Sequence, residues 1–236
     1  MKLFEKIRAN IPNTITCLNL LSGCLATVFA LKGDTDCGLL TCHQMAFIFI
    51  GCATVFDFCD GLAARLLHAY SSLGKELDSL SDLISFGLAP AALVYSTMEA
   101  YDAGILAYAA FLLTIFGALR LAKFNIDDRQ TTSFIGLPIP SNAIFWIGFI
   151  AWTNEFGYPG HVAMLLLVVI FSLLMVSRLR MFSLKVKTLE WRSNVRRYAL
   201  IIGSVSFLVF QHLSGLSWAI VLYIILSATM RKDEQY

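Results

Sequence analysis

Charged residues are scarce in this chain. Only 14% of its 236 residues are Asp, Glu, Lys or Arg, whereas an average soluble domain has about a quarter. Histidine and proline are also few, at 4 and 5 residues, and neither a glycine-rich nucleotide loop nor a Walker-type lysine occurs in the sequence. This composition excludes an ordinary cytosolic enzyme, a disordered chain and a protein that binds nucleic acid.

Apolar residues are correspondingly abundant. They make up 58% of the chain, and aromatic residues make up 13%, with a mean hydropathy of +0.71. A helix that spans a bilayer needs about 20 mostly apolar residues, because lipid offers the backbone no hydrogen-bond partners. We therefore predict an all-α fold, a polytopic integral membrane bundle whose eight transmembrane helices lie near 12–31, 43–63, 82–99, 103–124, 140–156, 161–178, 197–213 and 215–230.

The distribution of lysine and arginine predicts the topology. Short cytoplasmic segments of membrane proteins carry an excess of these residues. With the N-terminus in the cytosol, the eight predicted helices leave Lys32 as the one basic residue on the outer side. Both termini are therefore predicted to be cytoplasmic. Residues 1–11 are interpreted either as a short helix on the inner membrane surface or as a solvated positive start.

One segment, residues 56–90, carries ionisable groups at the predicted membrane boundary. Its four aspartates lie near the inner ends of two consecutive helices, where a charge costs several kcal/mol. Helical spacing places one set on a single face of the first helix and another on a single face of the second. The two sets are Asp57, Asp60, Gly61, Ala64 and Arg65, and then Gly74, Asp78 and Asp82.

Antiparallel packing of these two faces brings four carboxylates together. Such a cluster needs compensating positive charge, and an all-oxygen ligand set matches hard divalent cations. A pair of cations about 4 Å apart supports displacement at phosphorus. Gly61 and Ala64 add little side-chain bulk to this face, and Arg65 offers a fork for phosphate oxygens. The segment therefore predicts a metal-dependent site for a pyrophosphate-like group, open to the cytosol.

The spacing of these residues resembles a family signature. The string D-x-x-D-G-x-x-A-R, eight further residues and then G-x-x-x-D-x-x-x-D is similar to that of the CDP-alcohol phosphatidyltransferases, and the two sets above fill every specified position. The resemblance implies a helical membrane enzyme that transfers a phosphatidyl group from a CDP-linked lipid to an alcohol and releases CMP. It also implies two bound divalent cations, Mg²⁺ or Mn²⁺, and a homodimer.

The resemblance further implies roles for individual residues. Asp57, Asp60 and Asp78 are expected to bind metal, while Asp82 both contacts a metal and acts as general base. The CDP diphosphate is expected to lie against Gly61, Ala64, Arg65 and Gly74. The family domain is predicted to cover 12–230, with its active-site hairpin at 56–90 and a short tail at 231–236. The site is expected to face the cytosol from the cytoplasmic membrane.

Three further segments narrow the choice of substrate. The spacing P-N-x-x-T-x-x-N from Pro12 to Asn19, ALRLAKFN from residue 118 and FIGLPIPSNA from residue 134 resemble the phosphatidylserine synthase group of this family. That resemblance implies CDP-diacylglycerol as donor, L-serine as acceptor, and a nucleotide-lining role for Asn13 and Thr16. Helix capping and packing between helices explain the same two residues without a ligand.

The inner end of the fourth predicted helix offers groups for serine. Arg120 and Lys123 lie three residues apart, at a depth suited to binding a carboxylate. The alternative is that both only extend to the interface and enforce topology. Asn125 either caps that helix or contacts the serine ammonium group.

Three rival interpretations remain open. The same chemistry with another acceptor, such as glycerol 3-phosphate or an inositol derivative, would need more basic residues at the site. A cation transporter would carry its carboxylates near the bilayer midplane. An inactive relative is disfavoured by the intact set of four aspartates. The basic loop 178–197 fits either attraction of anionic lipid or topology alone.

Overall fold

The computed structural model describes the backbone of residues 2–126, 134–182 and 191–229, with side chains described from residue 10, 135 and 194 of these ranges. The chain forms two compact units, Met1–Ala118 and Leu119–Tyr236. Helices make up nearly all of each described unit, so the predicted all-α class is confirmed. The predicted tail 231–236 and residues 183–190 of the basic loop 178–197 lie outside the described residues.

The first unit is built from four helices, the first half of a fifth and one small hairpin. The third and fourth helices are joined by a π-helical turn, Leu83–Leu88, and form one continuous rod from residue 72 to residue 100. A 3₁₀ segment, Gly104–Phe111, leads directly into the fifth helix. The elements are α1 (Lys2–Leu31), β1 (Asp36–Cys37), β2 (Leu40–Thr41), α2 (Cys42–Leu66), α3 (Ser72–Asp82), α4 (Ala89–Ala100) and α5 (Leu112–Ile126).

Small residues set how closely these helices pack. Ala26 and Ala30 of α1 and Ala46 and Ala53 of α2 are fully buried, and α1 and α2 contact each other along their length. Small side chains allow helix backbones to approach, which is the main packing device between helices in a membrane. A Cβ added to Gly23 of α1 would lie 2.7 Å from the Cα atom of Ser85. Helix α1 is therefore in close contact with the π-helical turn as well as with α2.

The second unit has four helices around an aromatic core. Trp146 is fully buried, and the rings of Phe145 and Phe171 stack with their centroids 3.7 Å apart. Gly136 adopts φ +78° with its Cα against the carbonyl of Met175, where a side chain would clash. The elements are β3 (Phe134–Ile135), α6 (Ile139–Phe156), α7 (His161–Val176), β4 (Arg180–Met181), α8 (Trp191–Gln211) and α9 (Gly215–Ala228), with β3 and β4 antiparallel.

The last two helices form a hairpin. The chain reverses at a short 3₁₀ turn, His212–Ser214, where His212 has φ 50°. The Arg196 guanidinium at the start of α8 donates to the carbonyl of Leu226 at 2.6 Å and to that of Thr229 at 3.1 Å. A straight helix would separate residues 196 and 226 by about 45 Å. The apolar stretch Asn194–Ala228 therefore contains two antiparallel helices.

Each of the eight predicted intervals contains a helix. Five stretches are long and apolar enough to cross a membrane, counting Asn194–Ala228 once, and His161–Val176 is a shorter apolar helix. The count of eight crossings remains a prediction. The third interval, 82–99, lies within a longer helical rod that begins at Ser72, in line with the helical spacing that places Gly74, Asp78 and Asp82 on one face. Helix α1 continues unbroken through residues 2–11, and an interfacial role for them remains a prediction.

Candidate active site

The predicted acidic hairpin consists of α2, a short connection and α3. The two predicted sets of residues lie on consecutive helices, because α2 extends to Leu66 and α3 begins at Ser72. His68 in the connection has φ 49°, a conformation that is uncommon for a residue with a side chain and that helps the chain turn. Ser71 caps α3, with its hydroxyl accepting from the Gly74 N–H at 2.9 Å. The hairpin therefore has defined ends.

Three carboxylates meet at the centre of this hairpin. Asp57 and Asp60 of α2 and Asp78 of α3 each place one carboxylate oxygen within 4.8 Å of the other two. Asp60 is buried and the other two are half-buried. The Oδ1 atom of Asp78 is buried and, within the described ranges, has no hydrogen-bond partner. An unsatisfied buried carboxylate oxygen is costly unless a cation or donor reaches it.

These residues fit a divalent cation. Three oxygen ligands on two rigid helices provide the hard donor set that Mg²⁺ and Mn²⁺ prefer. The unsatisfied Asp78 oxygen is a coordination position that no described side chain occupies. Mutual repulsion of the three carboxylates falls when a cation lies among them. Asp57, Asp60 and Asp78 are the residues that would hold it.

The fourth aspartate has a different environment. Asp82 lies one helical turn beyond Asp78 and is only 9% exposed. It is outside the group of three, although it lies near enough to Asp57 and Asp78 to feel their charges. Its Oδ1 atom accepts a hydrogen bond of 3.4 Å from the Asn19 side-chain amide. Asp82 is thus held by a neutral donor at the edge of the cluster.

Helix α1 adds a second layer of contacts to the aspartates. The Thr16 hydroxyl donates to the Oδ2 atom of Asp60 at 2.7 Å. On the opposite side, the hydroxyls of Ser81 and Ser85 donate to the backbone carbonyls of Thr16 and Asn19, at 3.1 and 3.0 Å. All of these polar groups are buried. The active-site hairpin is therefore cross-linked to α1 by four hydrogen bonds.

The structure brings several expected nucleotide-binding residues together beside the cluster. Gly74 of α3 lies against α1, because a Cβ there would be 2.9 Å from the Asn13 Oδ1 atom. Gly61 faces open space, with none of the described atoms within 4 Å of a Cβ added to it. Ala64 is half-buried. The Arg65 side chain is exposed and donates from Nε to the Gly61 carbonyl at 2.9 Å, so it lies back along α2 toward Gly61.

The residues expected to bind serine belong to the second unit and differ in exposure. Arg120 is 7% exposed, with its guanidinium carbon 6.0 Å from the centre of the Phe124 ring. Lys123 is exposed and Asn125 is half-buried. An exposed lysine fits the interpretation that it extends to the interface. A buried arginine does not fit that interpretation.

The sequence analysis missed three of the residues that contact the site. Asn19 was recognised only as part of the P-N-x-x-T-x-x-N spacing, and Ser81 and Ser85 were not selected at all. A signal was present, because Ser81 and Ser85 each follow an aspartate, Asp78 or Asp82, by three residues. Each serine therefore lies on the adjoining face of the same helix. Serine is common between membrane helices, however, and the pattern alone does not identify its partner.

Apolar helices long enough to cross a bilayer and a cluster of carboxylates on two of them define a helical membrane protein with an acidic, cation-type site. The family model of the CDP-alcohol phosphatidyltransferases matches residues 9–230. This match covers both units and includes the whole hairpin. The chain therefore belongs to the CDP-alcohol phosphatidyltransferase family.

Relatives in this family share much of the chain. A CDP-diacylglycerol–serine O-phosphatidyltransferase of Helicobacter pylori is 32% identical over 91% of this chain and 87% of its own length. An enzyme of the same name from Methanocaldococcus jannaschii is 36% identical over 72% of both chains. Another, from Bacillus subtilis, is 42% identical over 50% of this chain and 68% of its own length. The resemblance predicted from the hairpin is confirmed.

Proposed function

We propose that this protein transfers a phosphatidyl group from CDP-diacylglycerol to the hydroxyl of L-serine, with phosphatidylserine and CMP as products. The observation that carries the proposal is the acidic hairpin, in which Asp57, Asp60 and Asp78 converge inside the range 9–230 that the family model matches. The names of the relatives support serine as the acceptor. Their similarity extends across both units of the chain.

The proposal includes a requirement for divalent cations. Asp57, Asp60 and Asp78 would hold them, with Asp82 at the edge of the group. Two cations, Mg²⁺ or Mn²⁺, would neutralise the diphosphate oxygens and stabilise the charge that develops on CMP as it leaves. The convergence of three carboxylate oxygens and the unsatisfied Asp78 oxygen support this part of the proposal.

Side chains of the protein bind the diphosphate and accept the proton in this proposal. Gly61 leaves room at the surface of α2 for the diphosphate, Gly74 lets α3 approach Asn13 of α1, and Arg65, Asn13 and Thr16 line the same region. Asp82 accepts the proton of the serine hydroxyl as that oxygen bonds to the phosphorus that carries diacylglycerol. The bond from this phosphorus to the CMP oxygen breaks, so CMP leaves with the electron pair. The proton then passes from Asp82 to solvent.

Residues of α5 are the groups that bind the acceptor in this proposal. Serine brings a carboxylate, for which the buried Arg120 is the suited partner. Lys123 and Asn125 lie on the same helix within two turns of it and complete the expected set. A phosphorylated acceptor would need further cations, which disfavours glycerol 3-phosphate.

The orientation in the membrane is part of the same proposal. Eight crossings with both termini in the cytosol would expose the site to cytosolic serine and CMP, and the bias of lysine and arginine supports this arrangement. The protein would lie in the cytoplasmic membrane, take its lipid donor from the inner leaflet, and act as a homodimer like its family.

A direct assay tests the activity. Membranes that contain the protein are given CDP-diacylglycerol and Mn²⁺ or Mg²⁺, with serine, glycerol 3-phosphate or inositol offered separately, while CMP and the lipid product are measured. We expect product with serine alone, and none after chelation of the metal. Asp82→Asn should abolish turnover, whereas Asp36→Asn, in the exposed hairpin, should not. Release of CMP with another alcohol only would contradict the serine assignment, and no release from folded protein would favour an inactive relative or a transporter.

A further inference from the structure

We propose that helix α1 orients the acidic site through Thr16 and Asn19, which act as positioning residues for Asp60 and Asp82. The inference rests on the proposed function, because it assumes that Asp60 binds a cation and that Asp82 accepts a proton. Neither α1 residue is required to touch a substrate in this arrangement. Each acts through the carboxylate to which it donates.

The contact between Thr16 and Asp60 is the shorter of the two. Thr16 is 3% exposed, and its hydroxyl has two acceptors, the Asp60 Oδ2 atom at 2.7 Å and the Pro12 carbonyl at 3.0 Å. A hydroxyl carries one proton, and a donor bonded to a carboxylate makes the stronger hydrogen bond. The shorter distance agrees with donation to Asp60. One oxygen of Asp60 is therefore fixed by α1, which sets the direction in which the other oxygen can bind a cation.

The contact between Asn19 and Asp82 repeats this relationship one turn deeper. Asn19 is fully buried, and its amide donates to the Oδ1 atom of Asp82 at 3.4 Å. The opposite end of the same amide, the Oδ1 atom of Asn19, has no partner within the described ranges. Burial of a half-satisfied amide is costly. Asn19 is therefore a residue that packing alone would replace with an apolar side chain, and its contact with Asp82 supplies a reason to keep the amide.

The register of α1 is fixed by hydrogen bonds in the reverse direction. Ser81 donates to the backbone carbonyl of Thr16, and Ser85 donates to that of Asn19. Thr16 and Asn19 therefore each make two contacts with the hairpin: the backbone carbonyl accepts from a serine, and the side chain donates to an aspartate. A slide of α1 by one residue, about 1.5 Å, would break all four contacts at once. Because the same pair of contacts occurs at both Thr16 and Asn19, chance does not explain it well.

The orientation of a carboxylate that binds a cation affects the affinity of the site in a way that can be measured. A carboxylate that loses its hydrogen-bond donor rotates more freely, and the loss of such partners around metal sites costs about 10–100-fold in metal affinity or activity. A residue with only a structural role would change the stability of the protein and leave the affinity of the folded site for cations intact. Cation affinity therefore separates the two roles.

The first experiment measures Mn²⁺ binding to the purified full-length protein in detergent, without substrates, by electron paramagnetic resonance of the free ion. We expect Thr16→Val to weaken binding by about tenfold or more and Thr16→Ser to restore it. The matched control is Thr27→Val, the same change on the same helix, where the hydroxyl bonds only to the Gly23 carbonyl in the described contacts. Equal Mn²⁺ affinity of Thr16→Val and Thr27→Val would overturn the role of Thr16.

The second experiment measures CMP release by Asn19→Leu, which keeps the size of the side chain and removes its amide. We expect kcat to fall about tenfold or more while the KM for CDP-diacylglycerol changes by less than about threefold. Asn10→Leu, at an exposed position of α1, is the matched control. An unchanged kcat, or a loss confined to KM, would overturn the role of Asn19.

The two experiments also separate this inference from the proposed function. Wild-type protein that makes phosphatidylserine while Thr16→Val binds Mn²⁺ normally would retain the function and refute the inference. Wild-type protein that makes no phosphatidylserine while Thr16→Val alone loses Mn²⁺ affinity would refute the function and retain the positioning role of Thr16. Thermal unfolding of each variant, compared with its control, shows that the comparison is made on folded protein.

Discussion

The hydroxyl of Thr114 donates a hydrogen bond of 3.1 Å to the carbonyl of Gly87. Gly87 lies in the π-helical turn Leu83–Leu88, which follows directly after Asp82. A π turn inserts a residue into a helix and is retained mostly where function requires it. Here it shifts the register of α4 relative to α3, on which Asp78 and Asp82 lie one turn apart. Thr114 satisfies a carbonyl in this irregular turn.

Removal of the Thr114 hydroxyl should destabilise the π-helical turn. Thr114→Val keeps the shape of the side chain and leaves the Gly87 carbonyl without this donor, so we expect a loss of about 1 kcal/mol. Thermal unfolding in detergent measures the change. Thr54→Val is the control, since that hydroxyl bonds to the Ile50 carbonyl of its own helix and its removal should cost less. Equal effects of the two changes would contradict a special role for Thr114.

A methyl group at Gly61 should weaken ligand binding without lowering stability. None of the described atoms lies within 4 Å of a Cβ at Gly61 or at Gly51, which is also in α2. Alanine should therefore stabilise the helix at either position by about 0.5–1 kcal/mol. Only Gly61→Ala should raise the KM for CDP-diacylglycerol, by about tenfold. A normal KM for Gly61→Ala would show that the space beside Gly61 is not occupied by the donor.

A methyl group at Gly23 should have the opposite effect. Its Cβ would lie 2.7 Å from the Ser85 Cα atom and 2.9 Å from the Ser85 nitrogen, so α1 must move away from the π-helical turn. We expect Gly23→Ala to cost about 1–3 kcal/mol in unfolding free energy. Because the same movement stretches the contact from Ser85 to Asn19, CMP release should also fall. Gly51→Ala again serves as the control, and stability equal to that variant would disprove the close approach.

Arginine at position 196 should be needed to close the last hairpin. Its guanidinium donates to two backbone carbonyls near the end of α9, those of Leu226 and Thr229. Lysine has a single ammonium group and does not reproduce this fork. We expect Arg196→Lys to lower the unfolding free energy by about 1–2 kcal/mol. Arg197→Lys should cost less, because that guanidinium donates to Asn194 in its own helical turn at 2.7 Å. A larger loss of stability for Arg197→Lys than for Arg196→Lys would contradict this role of Arg196.

Much of the helical fold follows from hydropathy. The eight apolar intervals all contain helices because a run of apolar residues can bury its backbone in lipid only as a helix. Hydropathy alone does not detect the start of the third helix at Ser72, because its first turns are polar and are held by the Ser71 cap; the helical spacing of Gly74, Asp78 and Asp82 does predict it. The reversal at His212 was anticipated by a gap of one residue between predicted intervals, although its 3₁₀ geometry was not.

The acidic site was predicted in part. Helical spacing places Asp57 and Asp60 on one face of α2, and the convergence with Asp78 follows once two antiparallel helices pack. The contacts from α1 were not predicted, because they depend on how far α1 slides and rotates against α3. Arg120 and Lys123 looked equivalent in sequence, but one is buried and the other is exposed.

The sequence by itself determined that this is a helical membrane protein and that its hairpin carries four carboxylates in the order its family requires. Those properties depend on composition and on the period of one helix, both of which are local. Only the tertiary structure decided which carboxylates converge, that Thr16 and Asn19 donate to Asp60 and Asp82, and that the rod changes register after Asp82. Hydrogen bonds between helices form over a range of less than 1 Å, and no pattern in a single segment specifies its neighbour to that precision.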